Sequence, residues 1–130
     1  MIMSDRVSVM SAELRSRVAG LRQTGEDEYA CTIDFDPAFR GFEGHFEGNP
    51  IVPGVCLILA ARAAAEAVLE KALAVRSIST CRFRRPVMAG EQAALRIKLE
   101  KTGEDLWTVR ADIRVGGEVC TQLRMRTEAL

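Results

Sequence analysis

The chain has 130 residues, the size of one ordinary domain. It is 48% hydrophobic and 28% charged, so it can bury a real core without help from disulfides or metals. Its 18 Lys and Arg residues balance 18 Asp and Glu, which sets it apart from the basic chains that bind nucleic acid or membrane surfaces.

Cys31, Cys56, Cys81 and Cys120 are far apart, and none forms a C-x-x-C pair. With one histidine beside them, no zinc site is expected, and no metal or cofactor is implied. A reduced, cytoplasmic chain with its cysteines used as small core residues is the simple reading. Met1 to Arg15 holds no apolar signal-peptide core. The longest uncharged apolar-rich run, Ile51 to Ala61, falls short of the roughly 20 residues of a membrane-spanning helix.

In chain order, residues 1–12 read as a poorly ordered or peripheral segment of a single domain spanning 1–130. Leu14 to Arg22 is ambiguous. Leu14, Val18 and Leu21 fit a helix, whereas Thr24-Gly25-Glu26-Asp27 looks like the turn of a hairpin. Tyr29, Cys31, Ile33 and Phe35 alternate as a strand does. Val55 to roughly Ala74 carries eight alanines and reads as one helix of about 30 Å, apolar on every side up to Ala61 and hence buried there. Ile78 to Arg84 reads as a strand ended by Pro86. Three further strands alternate through Leu95–Leu99, Trp107–Val115 and Val119–Met125. The turns Thr102-Gly103-Glu104-Asp105 and Gly116-Gly117 make them an antiparallel meander. One buried helix with five or six antiparallel strands is an α+β architecture.

Two motifs remain. The first is Gly44-His45-Phe46-x-Gly48-x-Pro50-Ile51-x-Pro53-Gly54-Val55, directly before the helix. The second is Phe83-Arg84-Arg85-Pro86-Val87-x-x-Gly90-Glu91-Gln92. Together they resemble the hot-dog-fold 3-hydroxyacyl-acyl-carrier-protein dehydratases, a likeness that runs from about Leu14 to Met125. The resemblance implies a long central helix wrapped by a curved antiparallel sheet of five to six strands. It favours a strand near Arg15 to Arg22. It also implies a homodimer, a higher assembly of dimers or a mixed dimer, with active sites at the dimer interface. The expected substrate is a thioester of acyl carrier protein or of coenzyme A, and neither nucleic acid nor membrane is expected as a partner.

Removing water from a 3-hydroxyacyl thioester needs a base for the proton next to the carbonyl, an acid for the leaving hydroxyl, and donors for the enolate-like oxygen. Imidazole titrates near neutral pH, so His45 suits the base, and the resemblance makes the matching histidine catalytic. Gly54 and Val55 open the helix, where free N–H groups and the helix dipole favour negative charge. The resemblance assigns that backbone to the thioester oxygen. A tight Pro-Gly turn explains Gly54 equally well.

The acid is where the chain departs from the family. The dehydratases carry a glutamate or aspartate fourteen residues after the histidine, and that position here is Leu59. Ala63 stands where the glutamate branch has a glutamine. Glu66 is on nearly the same helix face but about 10 Å further along. Glu43 and Glu47 flank His45, and Cys31 and Cys56 are poor acids. Arg62, Arg82, Arg84 and Arg85 are candidates to meet an acidic carrier protein. The readings are therefore a dehydratase-like lyase with His45 as base, a non-catalytic acyl-thioester or carrier-binding subunit, one half of a mixed dimer, or a hot-dog thioesterase.

Overall fold

A computed structural model describes residues 2–42 and 50–130, and the side chains of 9–42 and 50–130. Helix α1 (Ile2–Arg17) runs straight into strand β1 (Val18–Gly25), followed by β2 (Glu28–Phe35) and a 3-10 turn (Arg40–Phe42). Helix α2 (Gly54–Leu69) precedes β3 (Leu73–Phe83), β4 (Glu91–Gly103), β5 (Leu106–Val115) and β6 (Glu118–Ala129). The six strands form one antiparallel sheet in the order β1-β2-β4-β5-β6-β3. This is the hot-dog arrangement, with α2 as the filling.

The period-two pattern explains the sheet. Ala93, Leu95, Ile97 and Leu99 of β4 point inward, as do Val109, Ala111 and Ile113 of β5 and Leu123 and Met125 of β6. They meet Cys56, Leu57, Leu59, Ala60, Ala61 and Ala63–Ala65 on α2. The alanines let the strands come close to the helix axis, and each large aliphatic buried against them contributes about 1.5–3 kcal/mol. Gly116 and Gly117 join β5 to β6 with φ of 58° and 84°, the paired left-handed turn that twists with its strands. Trp107 seals the far end of the core beneath Lys71 and Lys101, whose ammonium groups lie 5.4 and 5.5 Å from its ring.

Two junctions differ from the sequence reading, and β3 begins at Leu73 where the strand is expected from Ile78. The expected strand near Arg15 to Arg22 begins only at Val18, because α1 continues through Arg17. Leu14 is fully buried from the helix, and Glu13 and Arg17 pair one turn apart at 2.9 Å. Arg17 also donates to the Asp34 carbonyl and to Asp36, and Glu13 accepts the Arg40 N–H. The helix is thus pinned by its last turn to the end of β2. The second difference is that α2 stops at Leu69, not near Ala74. Glu70 turns left-handed at φ 54°, and its N–H bonds the Glu66 carbonyl. Leu73 and Ala74 then open β3, opposite Ala129 and Glu128.

Glu66 closes that corner. Its side chain is buried and accepts the Leu73 N–H at 2.8 Å, with Arg15 3.8 Å away. Removing the carboxylate strands a buried donor. Glu66→Ala is expected to lower unfolding free energy by about 1–3 kcal/mol. A urea titration with an unchanged m value checks this.

Candidate active site

Pro53 precedes α2 in extended conformation, and no side chain caps the helix. The Cys56 and Leu57 N–H groups turn back onto the Pro53 carbonyl. Gly54 and Val55 therefore present the first two N–H groups of α2, and no backbone carbonyl among the described residues accepts them. An anion or a developing oxyanion is the natural partner of such a terminus.

Beside this terminus lies a cleft of about 390 Å³, lined by Ile51, Val52, Gly54, Leu57, Phe83 and Arg84–Pro86. Its roof is Phe83, 53% exposed, whose ring rests on Gly54. A Cβ added at Gly54 would lie 2.8 Å from Phe83 Cζ, so the glycine is what lets the ring sit there. The two sequence motifs thus meet in space, one bringing the helix terminus and the other its aromatic cover. In the sequence Phe83 stands only as the first residue of the second motif. Its place in the cleft follows from β3 ending beside α2, which spacing along the chain does not reveal.

The loop after Phe83 is clamped. Arg85 donates to both Glu91 oxygens and pairs with Glu118 at 3.2 Å. Glu91 also accepts the Met88 N–H, and a bridge joins Ile51 to Met88. Arg85 thereby holds the Glu91 carboxyl below the ordinary carboxylate range, against burial and with help from Met88. Arg85 is committed to this clamp, and Arg84 donates to Gln122 at 3.0 Å. Arg62 faces the other way and bonds Ser11 on α1, its buried Nε having no partner among the described residues.

Leu59 lies one turn into α2, 7% exposed and within the apolar core. The face it shares with Cys56, Arg62 and Glu66 runs along α1, which touches it through Met10, Ser11 and Arg15. None of these offers a replacement acid. Glu66 is spent on Leu73. Burial pushes the Cys31 and Cys56 thiols up to about 11, with Arg22 opposing this at Cys31 and Glu13 adding to it at Cys56. His45, Glu43 and Glu47 lie outside the described residues. Among the described residues no His, Cys, Asp and Glu side chains gather as a metal site, and no helix is long and apolar enough to cross a membrane.

The family model of ApeI-like proteins, described as ApeI dehydratase, matches residues 21–122. The chain belongs to the ApeI-like dehydratase family. It is also similar to the 3-hydroxyacyl-acyl-carrier-protein dehydratase FabZ of Geobacter metallireducens, 38% identical over 96 residues. That match covers 65% of this chain and 63% of the relative, so the chain spans less than two thirds of the curated relatives it matches. Its fold is that of the dehydratase heterocomplex ApeI:P from Xenorhabdus doucetiae, with a TM-score of 0.69 at 24% identity over 85% of this chain and 96% of that one. A hypothetical thioesterase from Streptococcus pneumoniae solved with coenzyme A shares the fold at a TM-score of 0.68 and 8% identity, over 97% and 95% of the two chains.

The clamp predicts an acid signature. A carboxyl held low in the folded state adds stability that is present above its unfolded value, about 4.3, and lost as pH falls through the folded value. Glu91→Gln should melt a few degrees lower than wild type at pH 7, and the gap should close as pH approaches 2. Thermal melts from pH 7 to pH 2 read this directly.

Proposed function

We propose that this chain is a dehydratase subunit for 3-hydroxyacyl and enoyl thioesters that carries half of the catalytic set. His45 takes the proton next to the thioester carbonyl. The Gly54 and Val55 N–H groups hold the oxygen on which negative charge grows. The hydroxyl leaves as water with a proton from a carboxylate that a partner subunit supplies at the position equivalent to Leu59.

The observation that carries this reading is Leu59 itself. It is sealed in apolar packing at the position matched to the acid, while the helix terminus and its cleft, which Leu59 does not line, are intact. An isolated carboxylate in that packing is costly, and every described carboxyl nearby is engaged elsewhere. The partner fits the sheet. β3 is an edge strand of 11 residues with Ile78 43% exposed, an open row of hydrogen-bonding groups that a second sheet can extend. The ApeI:P structure, a dehydratase heterocomplex by its description, gives the mixed assembly a precedent within this fold. The carrier-linked substrate is supported by the curated dehydratases, whose names specify acyl carrier protein. A reduced cytoplasmic setting fits four unpaired cysteines.

The test is hydration of a trans-2-enoyl thioester, on carrier protein and on coenzyme A. The purified chain alone should turn over at least 100-fold more slowly than when mixed with a glutamate-bearing relative. His45→Ala should remove the gain from mixing. Full activity from the chain alone, or a gain that survives His45→Ala, overturns the assignment. Binding without turnover in every mixture would make the chain an acyl-thioester binder.

A further inference from the structure

The outer face of the sheet carries an organised excess of positive charge that the catalytic reading leaves unused. Register places Lys98 of β4 directly opposite Arg110 of β5, and Arg110 directly opposite Arg124 of β6. Three cations therefore stand side by side across three strands, between Glu28 at one end and Thr80 at the other. Like charges in direct opposition destabilise a sheet. The next row runs Arg22, Ala30, Arg96, Asp112, Gln122, Arg82. Its one carboxylate, Asp112, is already bonded to Arg114 at 2.9 Å. Arg82, Arg96, Lys98, Arg110 and Arg124 are exposed, and among the described residues none has a carboxylate within ion-pairing distance. The first row, with Arg96, Asp112 and Gln122 of the second, lines a shallow depression of about 500 Å³.

The chain as a whole is neutral, so this is segregated charge and not a general basicity. A second copy set back to back would bring the same cations together, which disfavours self-association through this face. The face is also continuous with the cleft at α2. Gln122 lines the depression and accepts the Arg84 guanidinium, and Arg84 lines the cleft. An acidic body seated on the rows would stand beside the mouth through which a tethered substrate enters.

We infer that the outer face formed by Arg82, Arg96, Lys98, Arg110 and Arg124 is a docking surface for an acidic carrier protein that delivers the thioester. The inference rests on the thioester reading above. It adds where the carrier sits, and it separates carrier recognition from the binding of the acyl arm. Attraction between the face and an acidic partner speeds encounter and weakens with salt.

The experiment compares wild type, Arg110→Glu, Arg124→Glu and a charge-matched control, Arg40→Glu, for binding to an acidic acyl carrier protein bearing a 3-hydroxyacyl chain. The same thioester on coenzyme A is measured in parallel. Arg110→Glu and Arg124→Glu each convert a like-charged opposition into an opposite-charged one, so their melting temperatures should stay level or rise. Their carrier affinity should fall at least tenfold, while Arg40→Glu stays within twofold of wild type and coenzyme A thioester binding does not move. Wild-type carrier affinity should also drop with added salt. Reversal variants that bind the carrier as wild type does overturn the inference, as does wild type that binds the coenzyme A thioester but not the carrier. So does a face that instead holds a second copy, seen as a dimer lost on reversal, or one that prefers a polynucleotide. Failure of the thioester reading looks different: wild type then binds neither thioester.

Discussion

Everything else in this molecule depends on the burial of α2. Sixteen residues, half-filled with alanine on the side that meets the sheet, sit where six strands can close around them. A helix so wrapped offers chiefly its ends to solvent and ligands, with Ile58 and Arg62 partly exposed between them. Its C-terminus is closed by the left-handed Glu70, by Glu66 and by the lysine-flanked Trp107. Its N-terminus is left uncapped and opens on a cleft. The polarity of the fold therefore leaves the N-terminus of α2 as its open end before any side chain of the loop is considered.

The same burial explains why Leu59 matters. A carboxylate inside such packing is tolerable only with a partner and a route to substrate. A leucine at that place contributes to the core and carries no such liability. An uncapped helix terminus with no acid beside it among the described residues is what the proposed half-site subunit requires. The clamp of Arg85, Glu91 and Glu118 holds the second motif against the first, so that Phe83 lies over Gly54 without a side chain intervening.

Much of this was legible in the sequence, for physical reasons. Alternation is strict in β4 and holds over most of β5 and β6, because one face is core and the other is solvent, and the Gly116-Gly117 pair demands its turn. The motif around Pro50 to Val55 located the helix terminus, and the count from His45 singled out Leu59, which the structure places in the core. Other features were not legible. Leu14, Val18 and Leu21 span the junction of a helix and a strand, so neither period fits them alone. The end of α2 was hidden because Ala72 and Ala74 favour helix, while a buried hydrogen bond from Leu73 to Glu66 decides otherwise. The cation rows appear only once cross-strand register is known, since Lys98, Arg110 and Arg124 are evenly scattered along the chain.

The account's central claim is that one missing carboxylate separates this chain from a complete site. The most direct measurement is enoyl-thioester hydration by Leu59→Glu with no second protein present, so that another copy of the variant serves as the partner subunit, alongside Leu59→Glu/His45→Ala, both checked for folding by circular dichroism. The account predicts new turnover in the first and none in the second. It also predicts that Leu59→Glu loses stability as pH rises, because burial raises a carboxyl's folded value and the neutral form is the one the core accepts. A folded Leu59→Glu that remains inert, or turnover that persists without His45, would contradict it.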